Sequence, residues 1–294
     1  MRNCRFLVAG ATLDVAPFIT TNARAAVLAQ DSFESYAPGQ LEDNTGVTPY
    51  GGSGFTNAWN VDDAARANAV VVSPGLFYNN GAVTNDGGSQ ALRIGGTNSN
   101  NFVSRTFPAT SNTVYFGFLY RTNNDAATSE DFVQIGLSSV ATGEPNAASV
   151  GTANNITGNA PPPVFFARVP FGSNSNTANT ANSLTTLQPN TTYFLIGKAS
   201  KVNGGTNYNQ VDLYLNPDTL TEGTPLATAT YGGTNGVSSV SNLIVRTARL
   251  ETGDQYFLDN VTIGSTYADV VPEPGTLGLA GVAAGAFLLR RRVR

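Results

Sequence analysis

From residue 90 to residue 264 the chain reads as short aromatic and β-branched runs separated by breaks rich in Gly, Asn, Ser and Pro. Runs of this length, bounded by turn-forming residues, are the pattern of β-strands. The clearest lie at 90–94, 101–107, 113–121, 131–138 and 163–169, followed by 191–200, 210–216, 242–248 and 255–264. Several alternate: over 210–216, Val211, Leu213 and Leu215 fall on one face, and Asp212 and Tyr214 on the other. No stretch carries the 3.6-residue period of a long helix. This pattern predicts a single all-β sandwich or jelly roll over residues 30–268. The polar stretches 141–163 and 172–183 predict long surface loops, the places where a ligand site is most easily built.

Both ends depart from this pattern. Residues 1–29 carry Arg2 and Arg5 ahead of a short apolar stretch, 6–13, and then small-residue patterns ending at Ala25 and Ala29. That order predicts a signal peptide, with Gln30 as a mature start, although Asp14 and Pro17 interrupt the apolar stretch. At the other end, Pro272-Glu273-Pro274 precedes an uncharged apolar run, 275–289, and the basic cluster Arg290, Arg291, Arg292 and Arg294. As a helix the run would measure about 22 Å, which predicts a short transmembrane segment against a hydrocarbon core of roughly 30 Å. The two prolines separate it from the body, and the arginines place the end on the cytoplasmic side with the body outside. Gly281 and Gly285 stand four apart within it, a spacing that lets two helices pack closely and that a Gly/Ala-rich span also produces by chance.

Composition narrows the chemistry. The chain has 294 residues, 41% of them hydrophobic and only 12% charged, so it has ample apolar content for a core under an Asn-, Thr-, Ser- and Gly-rich surface. Of 16 basic and 20 acidic residues, residues 30–270 keep 9 and 18, since seven arginines and only Asp14 and Glu273 lie in the two ends. A body at −9 repels phosphate backbones, which argues against nucleic acid as a partner. Histidine is absent and Cys4 is the sole cysteine. Disulfides, Cys- or His-based metal sites and Ser-His-Asp catalysis are therefore excluded from the body.

The order of a PEP turn, a short Gly/Ala/Leu-rich helix and a terminal arginine cluster resembles the PEP-CTERM sorting signal of Gram-negative bacteria. For residues 269–294 the resemblance implies recognition of Pro272, Glu273 and Pro274 by an exosortase, a membrane-embedded processing enzyme. It further implies a transient inner-membrane anchor, Arg290, Arg291, Arg292 and Arg294 as its stop, and delivery of the body to the envelope or an exopolysaccharide-containing biofilm matrix. The body in turn resembles the concanavalin A-like (laminin G-like) sandwiches that often precede this signal. The resemblance is carried by DSFESYAPG from Asp31, GGSGFTNAW ending at Trp59, VDLYLNPD from Val211 and FLDNVTIG from Phe257.

Paired carboxylates are the catalytic chemistry left open. Glycosidases on this fold space their acids at i, i+2 and i+4 along one strand face, a spacing that Glu251, Asp254 and Asp259 do not have. Glu130 and Asp131, like Asp62 and Asp63, are adjacent and would face opposite sides of a strand. A non-enzymatic matrix or exopolysaccharide-associated protein is expected, with a lectin-like module as the alternative and a glycoside hydrolase behind it. For the lectin-like reading, Tyr50, Trp59 and Tyr78 beside Gly-rich turns are the residues expected to stack on sugar rings. No cofactor or bound metal is expected; calcium is the one ion left open, with carboxylates and carbonyls from 125–131 or around Asp86 as its ligands.

Overall fold

In the computed structural model the described residues are 27–41, 51–62, 68–96, 101–123, 131–141, 147–153, 163–169, 180–233 and 236–272. They form eighteen strands and one short helix. The strands are β1 (Val27–Asp31), β2 (Gly39–Gln40), β3 (Asn60–Val61), β4 (Ala69–Val72), β5 (Phe77–Asn80) and β6 (Val83–Asp86). Next come β7 (Ala91–Gly95), β8 (Asn101–Thr110), β9 (Val114–Thr122), β10 (Phe132–Ser138), β11 (Ala148–Ala153) and β12 (Val164–Arg168). The chain continues through β13 (Thr180–Thr186), β14 (Tyr193–Ser200), β15 (Gln210–Leu215), β16 (Ala227–Thr230), β17 (Val240–Ala248), β18 (Gln255–Gly264) and α1 (Tyr267–Val270).

Two antiparallel sheets carry the fold. The larger has nine strands, in the order β16-β15-β14-β9-β18-β7-β4-β2 with β1 on β18, and the smaller has seven, in the order β13-β12-β11-β10-β17-β8-β3. β18 organises the larger sheet. Its first half pairs with β7 and its second half with β1, while its other edge pairs along β9. The switch of partner coincides with a break in register after Asp259, where Asn260 takes a left-handed φ of 44°. Between the sheets lies one apolar core, including Phe116, Phe118, Phe165, Val133, Ile135, Leu195, Leu213, Leu243 and Val245. These are the inward positions of the alternating strands, as a two-sheet sandwich requires.

Every strand read from the sequence is present, with ends shifted by at most three residues. The expected loops need correction. The stretch 141–163 contains β11, and 172–183 contains the start of β13. β11 reads Ala-Ser-Val-Gly-Thr-Ala, too poor in large apolar residues to announce itself, and is a strand because β10 and β12 pair along both of its edges. The expected body limit at 268 falls inside α1, and the packed structure continues to Val271. β1 starts at Val27, so cleavage after Ala29 would cut through a strand that cleavage after Ala25 would spare.

A second apolar cluster covers the outer face of the nine-stranded sheet. Leu76, Tyr78 and Val83 from the β5–β6 hairpin and Tyr267, Val270 and Val271 from α1 pack on Tyr115, Leu119, Phe194, Ile196 and Tyr214 of the strands. Tyr214, assigned by alternation to the face away from the core, is therefore buried as well.

Candidate functional site

The first two motif segments of the body meet at one buried node. Asp31, at the end of β1, accepts hydrogen bonds at Oδ2 from Tyr36 Oη (2.7 Å) and Trp59 Nε1 (3.0 Å), and at Oδ1 from the Phe33 amide (2.9 Å). Arg105, projecting inward from β8, forms an ion pair with Asp31 while its Nε donates to the Asn57 carbonyl at 2.9 Å. Its guanidinium lies 4.4 Å from the Phe55 ring centroid. The side chains of Asp31 and Arg105 are 0% and 1% exposed. A buried pair is tolerable only when its remaining donors and acceptors are satisfied, which the two tyrosine and tryptophan donors help to do. The node fastens the N-terminal segment across the sandwich.

This placement corrects the expected sugar-stacking residues. Trp59 is 4% exposed, stacked on Phe33 at 5.8 Å, and Tyr78 is 6% exposed, packed edge-on against Phe194 and donating to the Pro217 carbonyl at 3.0 Å. Neither ring face is open to a ligand. A glycine-rich turn is as good a seat for a core aromatic as for an exposed one, and position in sequence does not separate the two. Tyr50 lies outside the described residues.

At the C-terminal end of the described residues the chain is clamped onto the sheet. Asp269 Oδ2 accepts from the Ser265 amide (3.0 Å), the Ser265 hydroxyl (3.2 Å) and the Thr266 amide (2.8 Å), which closes the turn into α1. Tyr267 packs edge-on against both Tyr115 and Tyr214. Val270 and Val271 are each 2% exposed, and Gly117 of β9 makes room for them, since a Cβ there would approach Val270 at 3.2 Å. Pro272 is half-buried and is the last described residue. Glu273, Pro274, the apolar run and Arg290, Arg291, Arg292 and Arg294 lie outside the described residues, and no described helix is long and apolar enough to cross a membrane.

Residues 270–292 match the PEP-CTERM protein-sorting motif. The motif implies export and sorting to the cell surface. Its first two residues, Val270 and Val271, belong to the packed body, so Pro272, Glu273 and Pro274 follow directly on packed residues in the sequence.

Beside the junction lies a pocket of about 430 Å³, lined by Tyr214, Asn216, Asp218, Thr219, Thr224 and Tyr267 among others. Its neighbour Glu222 is saturated. It accepts from Lys198 Nζ (2.8 Å), from Tyr115 Oη (2.8 Å) and, closely, from Tyr214 Oη. Burial works to raise the Glu222 pKa, but these donors outweigh it and hold the carboxyl below its usual range. Such a carboxylate is a structural acceptor, poorly suited to giving or taking a proton at neutral pH.

Three acids the sequence left apart converge elsewhere. Oxygens of Asp131, Glu251 and Asp254 lie within 4.8 Å of one another, and Asp131 Oδ2 accepts from Tyr256 Oη at 2.8 Å. Burial and the Asp131 charge push Asp254 up to about 6. Such a group of oxygens can share a proton or offer part of a cation's ligand set. Spacing along the chain holds no sign of it, because β10 and the β17–β18 turn are brought together only by the sheet.

On the seven-stranded sheet, ladder register aligns Asn182, Phe166, Gly151, Gln134, Arg246 and Phe102 in one row across the outer face. Gln134 donates to Ser149 Oγ at 2.9 Å, and the Arg246 guanidinium sits 5.1 Å from the Phe132 ring. This polar and aromatic face also escaped the sequence, since each strand contributes one residue to it.

No curated protein matches the chain by sequence. Among solved structures, an alginate lyase in complex with an alginate tetrasaccharide is similar at 13% identity and a TM-score of 0.49, over 82% of this chain and 98% of that one. The binding domain of botulinum neurotoxin serotype C1 is similar at 10% identity and 0.45, over 82% of this chain. A sialidase is similar at 13% identity and 0.40, over 71%. The chain spans 49% of that neurotoxin chain and 17% of the sialidase. None of these likenesses carries an activity to this chain.

Proposed function

We propose that the chain is an exosortase substrate whose body is a non-catalytic matrix or exopolysaccharide-associated protein of concanavalin A-like type. The observation that carries this reading is the sorting match over 270–292, seated where the fold ends. Export begins with removal of the leader, after Ala25 if β1 is to stay whole. The apolar run then holds the precursor in the inner membrane while the exosortase acts at the PEP turn. A body packed up to Val271 reaches the enzyme as a folded domain close to the membrane surface. The absence of histidine and the engagement of Asp31 and Glu222 in hydrogen bonds support a body without catalysis.

The test is the intact mass and terminal peptides of the native protein from its host, in membrane and extracellular fractions. The expected C-terminus lies near 272–274, with Glu273→Ala accumulating uncut precursor in the membrane. Native protein ending at Arg294 in the membrane fraction would leave an unprocessed anchor and overturn the exosortase reading.

A further inference from the structure

The row Gln40, Val70, Arg93, Phe257 and Arg121 crosses the outer face of the nine-stranded sheet beyond the cover of α1, as the pairings β2–β4, β4–β7, β7–β18 and β18–β9 fix. Arg93 and Arg121 flank Phe257, their Cα atoms about 10 Å apart across two strand spacings. All three side chains are half-buried. The Arg121 guanidinium stands 4.5 Å from the Phe257 centroid. Neither arginine pairs with a carboxylate among the described residues, and each holds a buried Nε–H without a hydrogen-bond partner. The nearest acid on the same strand face, Asp259, is spoken for by the amides of Leu76 and Asn260. In the next row Gly95, opposite Gln255, carries no side chain, and Asn68 packs over it, its Oδ1 3.6 Å from where one would start.

Two guanidiniums that pair with no acid among the described residues, in a body carrying 9 basic and 18 acidic residues, are matched to an anion. A fork of N–H donors binds carboxylate in two parallel hydrogen bonds, and the exposed part of the Phe257 ring, on which Arg121 stacks, offers an apolar contact beside them. We infer that Arg93, Phe257 and Arg121 form a binding surface for a carboxylate-bearing sugar chain, Phe257 as its floor and the arginines as its clamps. A sugar chain is favoured over an anionic membrane because a single chain lying along this row meets less of the acidic body than a flat charged surface does. The inference deepens the exopolysaccharide-associated reading of the body.

The test is titration of the full-length protein, held in zwitterionic-lipid nanodiscs, with oligogalacturonate, with neutral dextran and with phosphatidylglycerol vesicles as separate arms. Every variant keeps the tail arginines, so differences between variants report on this face. Saturable oligogalacturonate binding is expected, weaker by about tenfold in Arg93→Gln and in Arg121→Gln and partly restored in Arg121→Lys. Lys201→Gln, which removes a cation elsewhere, should stay within about twofold of wild type. Unfolding midpoints identify any variant whose loss comes from misfolding, and Phe257→Leu then tests the floor without touching charge. Equal binding by wild type and the arginine variants overturns this site while leaving polysaccharide association intact. No saturable binding of either glycan overturns both. Vesicle binding that the arginine variants lose, without oligogalacturonate binding, makes the ligand an anionic lipid surface and overturns the inference.

Discussion

Asp31 and Asp259 are both buried carboxyls with different partners. Asp31 has Arg105 against it and donors from Tyr36, Trp59 and Phe33. Asp259 accepts the amides of Leu76 (2.8 Å) and Asn260 (2.7 Å) but pairs with no cation among the described residues. Burial, reinforced by the charges of Glu34 and Asp31, outweighs those two amides and pushes it up to about 8 from 3.8. A carboxyl with a raised folded-state pKa binds its proton more tightly folded than unfolded, so its contribution is fully present below about pH 4. That contribution is lost as pH rises to about 8. Stability measured by urea unfolding should therefore decline across this window, and the decline should flatten in Asp259→Asn. Gly87 belongs to the same site, since a side chain there would collide with the Asp259 carboxyl.

The element that joins body to tail is a single turn of helix, far too short to be stable on its own propensity. It stands because Asp269 collects three donors from 265 and 266 and because Tyr267, Val270 and Val271 are buried on β9, β15 and the β5–β6 hairpin. Asp269→Ala is expected to lower stability by about 1 kcal/mol, the usual scale for losing a helix-start side chain. Amide exchange of 265–271 should speed up while the strands keep their protection, which hydrogen-exchange mass spectrometry resolves peptide by peptide.

For the molecule as a whole, the fold boundary and the sorting motif overlap by two residues, Val270 and Val271. Processing beyond Pro272 leaves every described residue of the core in place. A chain ending at Pro272 should unfold at the same denaturant midpoint as the full-length protein. One ending at Ser265 exposes the faces of Tyr115 and Tyr214 and loses three buried side chains, at about 1.5–3 kcal/mol each. The pair of midpoints locates the end of the folded body independently of any protease.

The sequence by itself determined the sorting tail and the all-β character of the body. Both are written in contiguous residues: the PEP turn, apolar run and arginines in one, and two-residue alternation in the other. The nine strands it announced are those with enough large apolar or β-branched residues to be seen alone. β11 and β13 became visible only through their neighbours' hydrogen bonds. Tertiary structure decided whether an aromatic is core or surface, and so withdrew Trp59 and Tyr78 from the sugar-facing set. It also joined Asp131 to Glu251 and Asp254, and Arg93 to Phe257 and Arg121, because antiparallel pairing brings side chains together across strands that are distant in the chain. Register, which no single strand encodes, is the physical quantity that made the difference.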